Sequence, residues 1–522
     1  MADATPARFV ADISRVQDGA RPDAVALWFE GRETTYAELD RLASRCANAL
    51  IDAGVKPGDR VGVLAKGNDD FFVLWLGCAK ARACITPVNW RLAPPEIAFI
   101  LKDAGAQVLV CGADYADVVD TMLGEVELHR LIQFEPGHAR WPAFRDWIGA
   151  HPDRDPKLPA LEDDDVIQLY TSGTTGLPKG VQLTNGNYAA LFECAIAADW
   201  GRYDPGDVVM DVAPLFHVAG ANTGVLALLQ GCRLVVMREV EPRALLETLQ
   251  GQRVNHVFLV PALINMLLQF PGAGEADFSS LKRIFYGASP IAEDVLIRAA
   301  ALFGCTFTQL YGLTETIGGG AYLPPLDHDP ARGKLRACGK PWPGFEMRVV
   351  KPGGEIAAPF EVGELQIRSR GVMKSYWNRP DATREAIDAE GWFKSGDAGY
   401  VDGDGYFYIH DRVKDMIVTG GENVYPAEVE NALFGHPDVA DAAVIGVPDE
   451  RWGEAVKAVV VLKPGAVADP GAIIAHCRER IAGYKTPKSV DFVAVLPRNP
   501  SGKVLRRELR APYWEGKGRM VG

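Results

Sequence analysis

Apolar and polar positions alternate along this chain in blocks that change period every ten or so residues. Residues 24–33 read as a hairpin, Ala24-Val-Ala-Leu-Trp-Phe29 turning at Gly31. Thr35 and Glu38 then form a capping box ahead of Leu39, Leu42, Ala43, Cys46 and Leu50, which share one helical face, and Gly54 ends the helix. Strands at Val61–Leu64, Ile85–Val88 and Gln107–Cys111 alternate with helices at Asp69–Ala81 and Pro95–Ala104. The alternation resumes with strands at Val208–Val212, Arg233–Met237, His256–Val260, Arg283–Tyr286 and Thr306–Leu310, and helices at Gly220–Leu229, Ala244–Gln250, Leu263–Gln269 and Ala292–Phe303. This rhythm predicts an α/β fold with two doubly wound, mostly parallel units.

From about Lys340 the texture changes. Short strands such as Glu346–Val350 and Glu364–Ser369 between glycine turns predict a β-rich subdomain. After a break at Asp411–Asp415 comes a compact piece: helix Pro426–Phe434, strands Val439–Gly446 and Ala455–Leu462, helix Pro470–Gly483 and strand Ser489–Val495. The expected organisation is a large N-terminal domain, residues 1–411, and a small α+β C-terminal lid, residues 412–522.

The 522 residues carry a net charge of −13, which argues against a nucleic-acid-binding surface but not against anionic ligands held by local basic groups. Nine cysteines are scattered without a C-x-x-C pair, as expected of reduced, buried thiols in a cytoplasmic protein. The longest apolar run, Val257–Phe270, is too short to span a bilayer. Peripheral membrane contact and a homodimer stay open. The acidic run Glu162-Asp-Asp-Asp165 reads most simply as a solvated turn.

The chemistry concentrates first in Leu169-Tyr-Thr-Ser-Gly-Thr-Thr-Gly-Leu-Pro-Lys-Gly-Val181. Gly173 and Gly176 free backbone N–H groups to turn toward an anion, Thr171, Ser172, Thr174 and Thr175 add short donors, and Lys179 adds a mobile cation. That suits a polyphosphate, although the spacing is not that of a Walker loop. Tyr311-Gly-Leu-Thr-Glu-Thr316 follows an apolar strand, where ligands of open α/β sheets gather. Tyr311 and Gly312 offer a face for a base, Thr314 and Thr316 hydroxyls, and Glu315 a hard oxygen ligand for Mg²⁺. Gly287-Ala288-Ser289 holds the matching position after another strand. Asp397, after a glycine turn, can accept two hydrogen bonds from ribose hydroxyls.

These stretches, continued by Asp411-Arg-Val-Lys-Asp415, Gly420-Gly-Glu-Asn423 and Pro497-Arg-Asn-Pro-Ser-Gly-Lys503, resemble in order the signatures of the adenylate-forming enzymes, over nearly the whole chain. Acyl-CoA synthetases, aryl-CoA ligases, luciferases and peptide-synthetase adenylation domains belong to that superfamily. The resemblance implies an ATP-dependent acyl-CoA synthetase, fatty acid being the expected substrate. An aryl- or cinnamate-type CoA ligase, or a free-standing enzyme that loads a carrier protein, is the alternative. A nucleotide-binding module without chemistry is disfavoured because Glu315 and Lys503 are both present. ATP, Mg²⁺ and coenzyme A are the implied cofactors. By resemblance, Thr171–Lys179 hold the β- and γ-phosphates, Gly287–Ser289 border adenine and acyl group, and Asp397 and Arg412 contact ribose. Lys503 is the lysine of the adenylation step, and Lys414 sits at the hinge. Gly420, Gly421 and Glu422 line the pantetheine channel, and His217 lies beside the acyl carboxylate. Because a carboxylate is already ionised at neutral pH, His217 is expected to line the acyl tunnel and not to act as a base. Gly318-Gly-Gly320 is a candidate for acyl-chain room, against a plain flexible loop.

Overall fold

The computed structural model describes residues 7–171, 178–412, 415–419, 422–449, 451–467, 469–499 and 502–515, without the side chains of 199, 410–412 and 423. It has a large N-terminal domain and a smaller C-terminal one. Among the described residues lie four sheets.

The first sheet has a parallel core of strands Arg130–Gln133, Val108–Cys111, Arg60–Leu64, Cys84–Pro87 and Asp165–Thr171. Two antiparallel strands, Lys179–Thr184 and Ser375–Tyr376, extend it. The second sheet places Val208–Asp211, His256–Leu259, Arg283–Gly287 and Thr306–Gly312 side by side in parallel. The N-terminal hairpin joins its far edge, Val25–Phe29 running parallel to Arg233–Val236. The β-rich region is a four-stranded antiparallel sheet of Glu346–Val350, Gly363–Arg368, Phe393–Val401 and Phe407–Arg412. The small domain is a sheet of Glu422–Val424, Ile417–Thr419, Gly453–Leu462 and Val439–Asp449, with Ser489–Phe492 parallel to Gly453–Leu462. It has its own core around Ile417, Val429, Leu433, Val444 and Val456.

Local rules explain most elements. Thr35 accepts a hydrogen bond from the Glu38 N–H at the start of helix Tyr36–Asp52, and Leu39, Ala43, Cys46 and Leu50 are its buried stripe. Helix Asp70–Lys80 is buried along its whole length, as a segment apolar on every side must be. Helix Pro470–Arg478 stops short of the expected Gly483: at its end the Cys477 carbonyl accepts from both the Arg480 and the Ile481 N–H, a shared bond of the kind that closes helix termini. All nine cysteines are unbridged, eight of them buried.

Six α-helices among the described residues were not predicted: Asp12–Ala20, Asn185–Ala197, Arg506–Trp514 and the shorter Ala116–Met122, Phe144–Gly149 and Pro380–Ala386. The second had a legible signal, since Thr184 and Asn187 exchange side-chain-to-backbone hydrogen bonds as a capping pair. The acidic run is a solvated turn in its first half only: Glu162 and Asp163 are exposed in a turn, whereas Asp164 is half-buried and Asp165 buried. Asp165 is buried against Arg60 at 2.6 Å, Asp164 binds Arg82 at 2.9 Å through both oxygens, Asp163 binds Lys374, and Glu162 binds Arg8. Four consecutive carboxylates thus anchor four separate segments.

Candidate active site

The phosphate-loop stretch forms a hairpin. Thr171 ends one strand, Lys179 begins the next, and the two residues are paired across the ladder. Ser172, Gly173, Thr174, Thr175 and Gly176 lie outside the described residues. At the base, Gly180 is closely packed: a Cβ there would sit 2.6 Å from Gln168 Nε2 and 3.0 Å from the Tyr170 ring.

Glu315 sits in a single turn, Thr314–Thr316, directly after strand Thr306–Gly312. It is buried. Its Oε1 accepts hydrogen bonds from the Thr171 hydroxyl at 3.3 Å and the Tyr376 hydroxyl at 2.8 Å. Its carbonyl accepts from the Met373 N–H at 2.7 Å. The Lys179 ammonium stands 4.8 Å from the centre of the Tyr376 ring. Tyr376 is therefore part of this cluster, and the sequence analysis missed it. Its two-residue strand is too short for a periodic signal, and its partner lies nearly 200 residues upstream. Among the described residues no three His, Cys, Asp or Glu side chains converge as a metal cage. One carboxylate with a spare oxygen still fits Mg²⁺, which keeps waters and substrate phosphates as its other ligands.

Two expectations fail here. Thr316 is fully buried, and its hydroxyl accepts from the Leu313 N–H at 3.0 Å and donates to the Gly319 carbonyl at 2.5 Å, so it closes the turn and offers nothing to a nucleotide. Gly318-Gly-Gly320 makes no room for an acyl chain. A Cβ on Gly319 would meet the Phe345 ring at 2.4 Å, and one on Gly312 the Gly318 backbone at 2.2 Å. The glycines let the chain fold back tightly beside the Tyr311 strand.

A cleft between the two domains is lined by Gly287, Ala288, Ser289, Tyr311, Gly312 and Asp397 from the large domain and by Lys503 from the small one. Gly287 is needed because a Cβ would stand 2.2 Å from the Leu310 carbonyl oxygen. Ala288 adopts φ 67°, a left-handed conformation costly for a residue with a Cβ, and it does so on the cleft wall. The Tyr311 hydroxyl donates to Asp397 Oδ2 at 2.8 Å. Burial and that carboxylate raise the Tyr311 phenol well above its ordinary range, so it stays a donor. Asp397 pairs in register with Arg412, whose side chain lies outside the described residues. Thr314 is half-buried beside Glu315.

The turn carrying Lys503 is braced within the small domain. Its N–H donates to Asn499 Oδ1 at 2.8 Å. Arg498 donates to the Gly502 carbonyl at 2.6 Å and grips Asp441 at 2.7 and 2.8 Å. Across the domain boundary, Asn265 Nδ2 donates to the Ala440 carbonyl at 2.9 Å. Arg336, Glu428, Asn431 and Arg506 also line the cleft, and none carried a motif to flag it. Lys414, Gly420 and Gly421 lie outside the described residues; Glu422 is exposed at the start of its strand.

His217 precedes helix Val218–Leu229 with its ring 4.7 Å from that of Phe216. It does not line the cleft that joins Tyr311, Asp397 and Lys503. Its Nε2 is shielded from solvent with no hydrogen-bond partner. Burial, with Arg91 adding to it, lowers its pKa to about 4, so the ring is neutral at pH 7.

Known proteins resemble this chain along most of its length. Residues 15–377 match the AMP-binding enzyme family and residues 428–503 the AMP-binding enzyme C-terminal domain. The chain is 41% identical over 503 residues to a fatty acid–[acyl-carrier-protein] ligase, ScoC, of Streptomyces coeruleorubidus, covering 96% of this chain and 95% of that protein. It is 40% identical over 498 residues to a feruloyl-CoA synthase of an Amycolatopsis species, covering 94% and 96%. The fold matches the crystal structure of the anthranilate CoA ligase AuaEII in complex with anthranoyl-AMP with a TM-score of 0.91, at 27% identity over 97% of each chain. No described helix is long and apolar enough to cross a membrane. The chain belongs to the AMP-binding enzyme family, the adenylate-forming enzymes, and is an acid–thiol ligase of that family.

Proposed function

We propose that this chain activates an apolar carboxylic acid, a fatty acid first of all, as its acyl-adenylate and then passes the acyl group to the thiol of coenzyme A. The observation that carries the reading is Lys503 of the small domain lining one cleft with Tyr311, Asp397 and Gly287–Ser289 of the large one. In the first half-reaction a carboxylate oxygen attacks the α-phosphorus of ATP, the α–β phosphoanhydride bond breaks, and pyrophosphate leaves. Both reactants are anions, so the site must supply positive charge where they meet. Lys503 supplies it at the α-phosphate and Lys179 at the leaving pyrophosphate. Mg²⁺, when bound, neutralises phosphate charge, and Glu315 is the carboxylate that would hold it. Asp397 and Arg412 orient the ribose, and Gly287–Ser289 border the base and the acyl group.

In the second half-reaction the thiol sulfur attacks the acyl carbon, and AMP leaves. Lys503 has no task there. The small domain, residues 412–522, swings about Lys414 and turns Gly420–Glu422 toward the cleft. His217 lies on the acyl side as a neutral wall residue.

Relatives named for feruloyl and anthranilate substrates make an aryl acid the second reading, and the carrier-protein ligase makes a carrier thiol the alternative acceptor. A panel of fatty and aryl acids, with CoA or a carrier protein as acceptor, read by mass spectrometry of the thioester, separates them. Pyrophosphate–ATP exchange driven by acid alone is expected. Exchange that requires CoA would overturn the two-step reading.

A further inference from the structure

The Tyr376 side chain has no place in the reading above, yet it touches both charged groups at the base of the phosphate hairpin. We infer that Tyr376 is a positioning residue for the adenylation step, fixing the Glu315 carboxylate for the metal and the Lys179 ammonium for the phosphates with a single side chain. The inference rests on Glu315 being the metal ligand.

Sheet register is the first support. Tyr376 pairs with Val181, and Lys179 pairs with Thr171. Residues two apart on a strand share a face, so Lys179 and Val181 do, and partners across a ladder share it too. Thr171, Lys179 and Tyr376 therefore project from one face of one sheet, the face over which Glu315 lies. The backbone behind Tyr376 is fixed as well: the Trp377 N–H donates to the Gly180 carbonyl at 2.7 Å, and the Tyr376 N–H to Thr383 Oγ1 at 3.0 Å.

The hydrogen bonds are the second support. Thr171 and Tyr376 both donate to Oε1 of Glu315, at 3.3 and 2.8 Å. A carboxylate oxygen carries about two acceptor sites, so Oε1 is filled and Oε2 is the oxygen turned to other ligands. A hydrogen-bonded partner behind a ligating carboxylate sets its orientation and basicity. The ring face is the third support. A cation 4.8 Å from a tyrosine centroid is attracted by the ring quadrupole, which restrains the Lys179 stem without neutralising its charge. One residue thus holds metal ligand and phosphate cation at a fixed separation.

Tyr376→Phe deletes the hydroxyl and keeps the ring, whereas Tyr376→Leu deletes both. ATP binding is titrated by calorimetry on the full-length protein across a Mg²⁺ series, with EDTA as the metal-free arm, and pyrophosphate release is followed over the same series. For Tyr376→Phe the half-saturating Mg²⁺ concentration is expected to rise about tenfold in both readouts, while affinity for metal-free ATP stays near the parent value. Tyr376→Leu is expected to weaken metal-free ATP as well, because Lys179 loses its platform. Glu315→Gln runs in parallel. If Glu315→Gln shifts the Mg²⁺ dependence and Tyr376→Phe does not, the positioning role is overturned and the ligand assignment stands. If neither shifts it, the ligand assignment falls with it. A Tyr376→Phe protein that loses metal-free and metal-bound ATP equally, with a lowered melting temperature, would show Tyr376 to be packing alone.

Discussion

Glu315 and Lys503 carry the two charges on which the proposed chemistry depends, and the fold holds them in different ways. Glu315 is gripped inside the large domain, by Thr171 from 144 residues away and by Tyr376 from 61, with its backbone tied to Met373. Lys503 stands on a turn braced by Asn499 and Arg498 of its own small domain. It reaches the large domain across a boundary where Asn265 donates one good hydrogen bond to Ala440. In the proposed alternation the first arrangement stays in place and the second moves as a unit, turn and lysine together. A site with one fixed pole and one portable pole would then run a charge-demanding step and afterwards remove the charge.

The sharpest way to break that contrast is to delete each pole and assay the half-reactions separately. Lys503→Ala is expected to slow pyrophosphate release by about 10²–10³ while leaving conversion of supplied acyl-adenylate and CoA largely intact. Equal losses in both halves would mean that Lys503 never leaves the site. Glu315→Gln is expected to slow pyrophosphate release by a similar factor of about 10²–10³, partly recovered by raising Mg²⁺. A loss that no Mg²⁺ concentration relieves would remove the metal from its role.

Arg498→Ala should come next. It leaves Lys503 in place but frees the turn, since Arg498 is the link between the Gly502 carbonyl and Asp441. A misplacement of about 1 Å at a reacting group costs on the order of 10- to 100-fold. That loss is expected in pyrophosphate release alone, because Lys503 has a task only in the pose that brings it inward. Asn265→Ala should be milder. One net hydrogen bond is worth about 1 kcal/mol, which shifts a two-pose equilibrium about fivefold. Pyrophosphate release should fall within that range and thioester formation should hold or rise. A fall in both would turn Asn265 into ordinary packing.

The fixed and portable halves were also unequally legible in the sequence. The pattern of apolar positions located the strands that end at Gly287 and Gly312, through Ile284-Phe-Tyr286 in the first and Phe307, Leu310 and Tyr311 in the second. It also located the small domain, whose turns and helix caps are local. What escaped were features made by distant pairing. Tyr376 enters the site through a two-residue strand, the hairpin at Val25 joins a sheet completed at Val236, and the acidic run at Glu162 meets cations from Arg8 to Lys374. Thr316 and Gly318–Gly320 were misread for a related reason. Residue type announces a hydroxyl or an empty Cβ, but only the folded turn decides that the hydroxyl caps it and that Phe345 fills the space.

The smallest expected effect concerns the pH dependence of the fixed half. His217 has its folded pKa lowered from an ordinary 6.5 to about 4, first by burial and then by Arg91. Between those values the unfolded chain binds a proton that the folded chain refuses. Stability contributed by this group is therefore present above pH 6.5 and declines as pH falls toward 4. His328, also brought down to about 4 by burial, adds a decline of the same sign. Asp70, raised by burial to about 6, adds the opposite sign, because its folded form takes up a proton first. The parent's acid limb is thus a difference of terms, and its absolute slope identifies no single group. The informative quantity is the change in slope on His217→Phe. Across pH 6.5, 5.5 and 4.5 the urea midpoint of the variant should fall less steeply than that of the parent, since the variant has no proton to refuse. Parallel midpoints across that range would mean that His217 takes up its proton as readily in the folded state as in the unfolded one, and that its side chain is open to water.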